Sequence, residues 1–228
     1  MNFHPRLPVS LQTRDRRGHP QETLDVFRQS ISSLALCAAA FLAAPAWADT
    51  EAEALVKRIG SDVLETAKAD KSIKAGEIGK IITLVDAKVM PSVNFEVMTR
   101  SAVGPQWRSA SPEQRARLQQ EFKSLLVRVY SGALTQIDSS QTLEILRSQP
   151  VPGSSQVVVQ SEVRGKGEPI KLDYRMDKGE TGWKIIDVNV GGIWLVQSYR
   201  SQFAREISTG GIDGLIGHLV ERNKPSKS

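Results

Sequence analysis

Apolar residues recur at every third or fourth position through the first half of the chain downstream of residue 49. The most regular segment is SPEQRARLQQEFKSLLVRVYSGALTQI, in which eight apolar residues from Leu118 to Ile137 follow this spacing. Ser111 and Gln114 have the spacing of a capping box, and Pro112 occupies the first helical position. The segment therefore predicts an amphipathic helix of about seven turns.

Three further helices are predicted upstream of this long helix. The first begins with Thr50 as its N-cap, and acidic residues in the following turn suit the positive end of the helix dipole. The second ends near Met90, because Pro91 disfavours helical geometry in the residue before it. The third runs from Asn94, which can cap it, to Gly104, which can end it.

After Asp138 the apolar period changes from 3.6 to 2, as in β-strands. In IKLDYRMD, for example, Leu172 and Tyr174 share one side while Asp173 and Arg175 share the other. Glycine-containing turns at GKGEP and KGETG predict adjacent antiparallel hairpins. With helices again from Gly192 onwards, the fold class is α+β: a sheet of about four strands covered by the long helix.

The segments WKIIDVNV and GGIWLVQSYRSQF carry more apolar surface than a two-layer arrangement uses. Strict alternation places Trp183 and Ile185 on one side of the strand and Ile186, Val188 and Val190 on the other. The tryptophan of the second segment falls opposite the apolar stripe of its predicted helix. Apolar side chains on several faces are compatible with a filled core or with an apolar ligand.

The beginning of the chain has the features of an export signal. Arg28 is followed by an apolar run from Ile31 to Leu42 and by Ala46-Trp47-Ala48, an A-x-A cleavage pattern. We therefore expect a leader over residues 1–48, cleaved after Ala48, and a single mature domain over residues 49–228. The run is too short for a permanent membrane span.

Charge and chemistry exclude several function classes. The whole chain carries a formal net charge of +5, and removal of the leader leaves 25 basic and 22 acidic residues, which is too balanced for a nucleic-acid-binding protein. The only cysteine, Cys37, lies in the leader, and His218 is the only histidine downstream of it. A cysteine–histidine metal site or a Ser-His-Asp triad therefore cannot be assembled, and no phosphate-loop motif is present.

Several motifs, taken in order, resemble the MlaC family of periplasmic phospholipid shuttles, also described as toluene-tolerance or ABC-transporter auxiliary proteins. They are VMPSVNFEVMTRSAVGPQW, SPEQRARLQQEFKSLLVRVY, LDYRM, GWKIIDVNVGGIWLVQSYRSQF and GIDGLI. The resemblance spans almost the whole mature chain. Asn94 and Ser198 depart from the family pattern, which commonly has Asp and Asn there.

The resemblance implies a carrier without catalytic activity or cofactor, whose cargo is a glycerophospholipid. It implies exchange between an outer-membrane lipoprotein–porin complex and an inner-membrane ABC transporter with an MCE-domain subunit, which maintains outer-membrane lipid asymmetry. The implied fold is a curved antiparallel sheet surrounded by helices, a nuclear-transport-factor-2-like (NTF2-like) cone with a deep apolar cavity.

On this basis we predict two sets of contact residues. The cavity wall should use apolar side chains with few polar tips, and the lipid phosphate should meet arginines at the mouth. The predicted wall consists of Met98, Phe122, Leu126, Tyr130, Leu172, Tyr174, Ile186, Val188, Trp194 and Tyr199. The predicted headgroup residues are Arg128, Arg175 and Arg200.

Two alternatives remain open from the sequence. The same cone could form an enzyme for a small apolar substrate, with Tyr174 as an oxyanion donor and Asp187 as a base. This requires both side chains to enter one cavity. The chain could also be a periplasmic scaffold or chaperone whose interior is filled by its own side chains.

Overall fold

A computed structural model describes residues 46–224; the predicted leader lies outside them except for its last three residues, which open the first helix. The helices of this part of the chain are α1 (Ala46–Ala69), α2 (Lys71–Lys74), α3 (Ile78–Leu84), α4 (Phe95–Val103), α5 (Pro112–Thr135) and α6 (Leu195–Arg222). A π-helical turn (Val85–Val89) and a 3-10 turn (Met90–Ser92) continue α3, and a second 3-10 turn (Gly104–Arg108) follows α4. No helix within residues 46–224 is long and apolar enough to span a membrane.

The strands form one antiparallel sheet in the order β1-β2-β3-β4-β5. They are β1 (Thr142–Pro150), β2 (Gln156–Arg164), β3 (Ile170–Gly179), β4 (Gly182–Val190) and β5 (Ile193–Trp194). The predicted α+β class is confirmed, but β5 was missed and the following helix begins at Leu195, not at Gly192. The reason is local: Gly191 and Gly192 have φ values of 59° and 93°, which turn the chain back along β4.

Most predicted helix ends are confirmed by the atoms that cap them. Ser111 and Gln114 form the predicted capping box at α5, and the Val97 amide donates to Asn94 Oδ1 over 3.2 Å at α4. Gly104, with φ 78°, ends α4. The Thr50 prediction is wrong, because α1 already begins at Ala46 and Thr50 lies inside it.

The helix that covers the sheet is α1, not the long helix α5 that the sequence predicted for this place. Ala52, Val56 and Ile59 of α1 are buried against sheet residues such as Val159. A Cβ atom on Gly60 would collide with the Leu143 side chain of β1, so the glycine permits the close approach of helix and strand. The helix α5 packs on α3, α4 and α6 instead.

The predicted short final helix corresponds to the end of α6. Gly211 has φ 64° and ψ −164°, which interrupts the helical path between Leu195 and Arg222. Both parts contribute to one core, through Tyr199 and Phe203 before the break and through Leu215 and Leu219 after it.

Candidate functional site

One face of the sheet, here called the inner face, carries Leu172 and Tyr174 and changes in burial along its length. At its sealed end, under α1, Val157, Val159 and Met176 are 4%, 0% and 0% exposed. At its open end, Leu172 is only half-buried, and Ile170 is 44% exposed. An inner-face position on a central strand is normally the most covered part of a sheet, so the open end is apolar surface that the described part of the chain leaves accessible.

The burial of apolar residues also changes along helix α5. Phe122 and Leu125 in its middle are 0% and 2% exposed, and both belong to the core with α4 and α6. Leu126 and Tyr130, one and two turns after Phe122, are half-buried, and Val129 is 48% exposed. The second half of α5 therefore also presents apolar side chains with accessible surface.

The buried apolar residues of the described part of the chain form three clusters. One lies among α4, α5 and α6, one between α1 and the sheet, and one among α1, α2, α3 and α5. Val188 packs against the first and second clusters, and Val63 against the second and third. We call the half-buried apolar residues that pack against these clusters the border residues, and an apolar ligand can add contacts there.

Tyr174 combines depth with accessibility. Burial raises the pKa of its phenol to about 12, with an opposing effect from the Ser161 hydroxyl and a further increase from Asp173. The residue nevertheless keeps some accessible surface. Tyr174 therefore lies at the edge of the covered part of the inner face, between the buried Met176 and the half-buried Leu172.

The Tyr174 shift predicts an alkaline loss of stability. The pKa is higher in the folded than in the unfolded protein. The contribution of the Tyr174 phenol to the free energy of unfolding is therefore fully present below pH 10 and is lost as the pH rises towards 12. The expected loss from this group is roughly 2 kcal/mol. Urea unfolding of the wild type and of Tyr174→Phe at pH 9.5 and 11.5 measures it, and the variant should lose less stability. Equal losses in the two proteins would contradict the assignment.

A β-bulge in β4 corrects the predicted orientation of its side chains. Arg175 pairs with Asp187 and Met176 with Ile185, so Ile186 has no partner across the strands. The extra residue reverses the alternation, and the apolar residues before and after it face the same way. Trp183, Ile185, Val188 and Val190 consequently share the inner face, whereas strict alternation had separated them.

The outer face of the sheet holds the start of α6. Asp187 Oδ1 accepts hydrogen bonds from the Val188 amide at 2.8 Å and from the Val196 amide at 3.0 Å. Burial raises the pKa of Asp187, and these hydrogen bonds and Arg175 oppose the increase. Asp187 is therefore an acceptor that caps α6 from a neighbouring strand.

This arrangement contradicts the enzyme alternative that pairs Tyr174 with Asp187. Tyr174 lies opposite Val188 on the inner face, whereas Asp187 lies opposite Arg175 on the outer face. Residues on opposite faces of one sheet cannot enter the same cavity. Within residues 46–224, no group of His, Cys, Asp and Glu residues could hold a metal ion.

We expect Asp187→Ala to lower the free energy of unfolding by about 1 to 3 kcal/mol, because the α6 amide loses its acceptor. Asp187→Asn keeps an acceptor oxygen and should lose less. Urea denaturation at neutral pH compares the two variants with the wild type. An alanine variant as stable as the asparagine variant would contradict the capping role.

The ten predicted wall residues fall into three groups. Leu126, Tyr130, Tyr174 and Val188 are half-buried against the first or second cluster, and Leu172 is half-buried at the open end of the inner face. Met98, Phe122 and Tyr199 are 3%, 0% and 6% exposed and belong to the solid core of α4, α5 and α6. Ile186 is the bulged residue of β4, and Trp194 pairs with Asn189 on the outer face.

The three predicted headgroup arginines lie on three different elements, β3, α5 and α6. The Arg175 guanidinium lies 4.8 Å from the centre of the Trp194 ring on the outer face. Arg200 borders a groove with Arg100 and Arg108, and Arg128 is on α5. No hydrogen bond or salt bridge among the described residues joins these three side chains.

Other half-buried border residues were missed by the sequence analysis. Leu143 and Ile145 alternate on β1, as a strand pattern would have indicated, but Val63 required knowledge of where α1 lies. Two pockets in the described part of the chain, of about 200 and 370 Å³, are lined by no residue of the sheet. The deep apolar cavity of an NTF2-like cone therefore stays a prediction.

Comparisons with known proteins agree on one family. A family model described as MlaC protein matches residues 57–221. The chain is 24% identical to the intermembrane phospholipid transport system binding protein MlaC of Haemophilus influenzae, over 76% of this chain and 83% of that protein. It is also 24% identical to toluene tolerance protein ttg2D of Pseudomonas putida, over 76% of this chain and 86% of that protein.

A solved structure is more similar still. The phospholipid-binding protein of Ralstonia solanacearum, in complex with a phospholipid, is 43% identical and superposes with a TM-score of 0.71. The match covers 75% of this chain and 96% of that chain. Since the family model spans most of the sequence as well, this chain belongs to the MlaC protein family.

Proposed function

We propose that this protein binds a glycerophospholipid with its acyl chains against the inner face and carries it without chemical change. The observation that supports the proposal most is the accessible apolar surface at Leu172, Tyr174 and Tyr130, on a strand and a helix that also carry fully buried residues. A phospholipid-bound relative with 43% identity supports the class of ligand.

The proposed cargo requires a large apolar surface, because its two acyl chains are costly to expose to water. Two acyl chains contain on the order of 30 methylene groups, each worth about 0.8 kcal/mol when removed from water. Transfer of both chains into water therefore costs about 24 kcal/mol, which makes unassisted diffusion negligible. A carrier must offer an apolar site of about the same quality as a bilayer, because a much tighter site would retain the lipid.

Mass spectrometry of the purified protein tests lipid binding. Protein purified without detergent should give native masses that exceed the chain mass by one or more phospholipids, and solvent extraction should identify them. Apo protein purified after denaturation and refolding should take up lipid from vesicles. Native spectra of apo protein alone, together with no uptake, would favour the alternative of a scaffold with a filled interior.

We further propose that the carrier works in the periplasm, between the outer-membrane lipoprotein–porin complex and the inner-membrane MCE-domain ABC transporter. The export signal that the sequence predicts over residues 1–48 and the family relationship support this location and these partners. Cell fractionation should find the protein in the periplasm, and N-terminal sequencing should find Asp49 as its first residue. A cytoplasmic, uncleaved protein would contradict the proposal.

A further inference from the structure

A groove of about 370 Å³ concentrates positive charge at the junction of α4, α6 and the 3-10 turn that follows α4. Arg100 comes from α4, Arg108 from the turn and Arg200 from α6. We call it the arginine groove. Its remaining lining includes Trp107 and Gly104, and it contains no residue of the inner face.

The groove has no compensating negative charge of its own. None of its lining residues is acidic, and none of its three arginines forms a salt bridge with a residue that the structure describes. Arg164, by contrast, forms salt bridges with Glu144 and Glu162. Three guanidinium groups around one small volume repel one another, so an anion in the groove would be stabilised by all of them.

The groove is also shaped by fixed backbone. Arg115 donates from Nε to the Trp107 carbonyl and from Nη2 to the Arg108 carbonyl, each over 3.2 Å. Its guanidinium lies 5.5 Å from the centre of the Trp107 ring. Gly104, with φ 78°, contributes backbone to the lining. These contacts hold the floor in place while the three arginines remain available.

We propose that the arginine groove is a binding site for a phosphate oxyanion. Guanidinium groups bind phosphate through paired, charge-assisted hydrogen bonds, and the groove has room for a phosphate group. The phosphate can belong to a lipid headgroup at a membrane surface or to a free anion. The site is separate from the inner face, so it stands independently of the proposed lipid-carrying function.

The test follows the arginine Nε–Hε signals of ¹⁵N-labelled protein during titration with inorganic phosphate at constant ionic strength. Saturable shifts of Arg100, Arg108 and Arg200 are expected, with smaller shifts in acetate or chloride. Arg100→Gln and Arg200→Gln should each weaken phosphate binding about tenfold. Arg58→Gln on the exposed surface of α1 removes the same charge elsewhere and should leave binding unchanged.

Vesicle sedimentation distinguishes the two sources of phosphate. Binding to phosphatidylglycerol vesicles that falls in the groove variants and is competed by inorganic phosphate identifies a lipid headgroup as the source. Phosphate shifts without such vesicle binding identify a soluble anion, and both results support the site. Shifts no larger than those in acetate, or an equal loss in Arg58→Gln, would overturn the proposal. Co-purified lipid, measured in parallel, should be unaffected by the groove variants.

Discussion

Leu172→Arg is expected to abolish phospholipid loading while the protein remains folded. Leu172 lies on the inner face of the central strand β3, is half-buried, and belongs to none of the three buried clusters of the described residues. A folded protein can therefore accommodate a longer side chain there. An arginine among acyl chains costs about 2.5 to 3.5 kcal/mol, which corresponds to a loss of affinity of roughly a hundredfold or more.

The matched control places the same side chain on the opposite face of the same strand. Asp173→Arg changes the next residue, which pairs with Gln160 and Asn189 and faces away from Leu172. Lipid loading of both variants is measured by native mass spectrometry, and folding by circular dichroism and thermal unfolding. If Leu172→Arg is folded and retains as much lipid as Asp173→Arg, the inner face is not the lipid site. Leu172→Gln serves the same purpose if the arginine variant does not fold.

Phe122→Ala is expected to produce the largest loss of stability, about 3 to 5 kcal/mol. Phe122 is fully buried, and its ring lies 5.0 to 5.7 Å from the rings of Phe95, Tyr199 and Phe203. Removing it leaves a cavity and three aromatic contacts unmade. Urea denaturation provides the free energy of unfolding, and Phe122→Leu, which keeps most of the volume, should lose less than about 1.5 kcal/mol.

Comparison with Leu126→Ala distinguishes a residue of the buried core from a residue that contacts the lipid. Leu126 lies one turn further along α5 and is half-buried, so its truncation should destabilise the protein less but reduce lipid loading more. Phe122→Leu should leave lipid loading unchanged, because Phe122 is 0% exposed. A Phe122→Leu variant with wild-type stability and no lipid would show that Phe122 contacts the lipid, as the sequence analysis predicted.

These experiments distinguish buried from accessible apolar residues, a difference that sequence patterns indicate only in part. Helical spacing identified Phe122, Leu126 and Tyr130 as one apolar face of α5, which is correct. It could not separate the buried first part of that face from the accessible second part. That difference depends on tertiary packing: Phe122 is a buried member of the core with α4 and α6, whereas Tyr130 is only partly buried against that core.

In the sheet, too, the sequence pattern predicted some side-chain directions correctly and others not. Alternation placed Leu172 and Tyr174 correctly on β3, because no bulge interrupts side-chain direction within that run. It failed on β4, where the unpaired Ile186 reverses the faces of the residues that follow. Helical spacing failed at Trp194, because two glycines turn the chain so that this residue lies in β5 before the helix begins.

The sequence by itself determined what short-range chemistry controls: the capping box of α5, the cap and the end of α4, the alternating strands and the α+β class. These features depend on dihedral preferences and hydrogen bonds between residues a few positions apart. The tertiary structure alone decided that α1 covers the sheet, that Asp187 caps α6, and which apolar residues remain accessible. Each of these depends on contacts between distant segments, where the close approach at Gly60 and the bulge at Ile186 decide which surfaces meet.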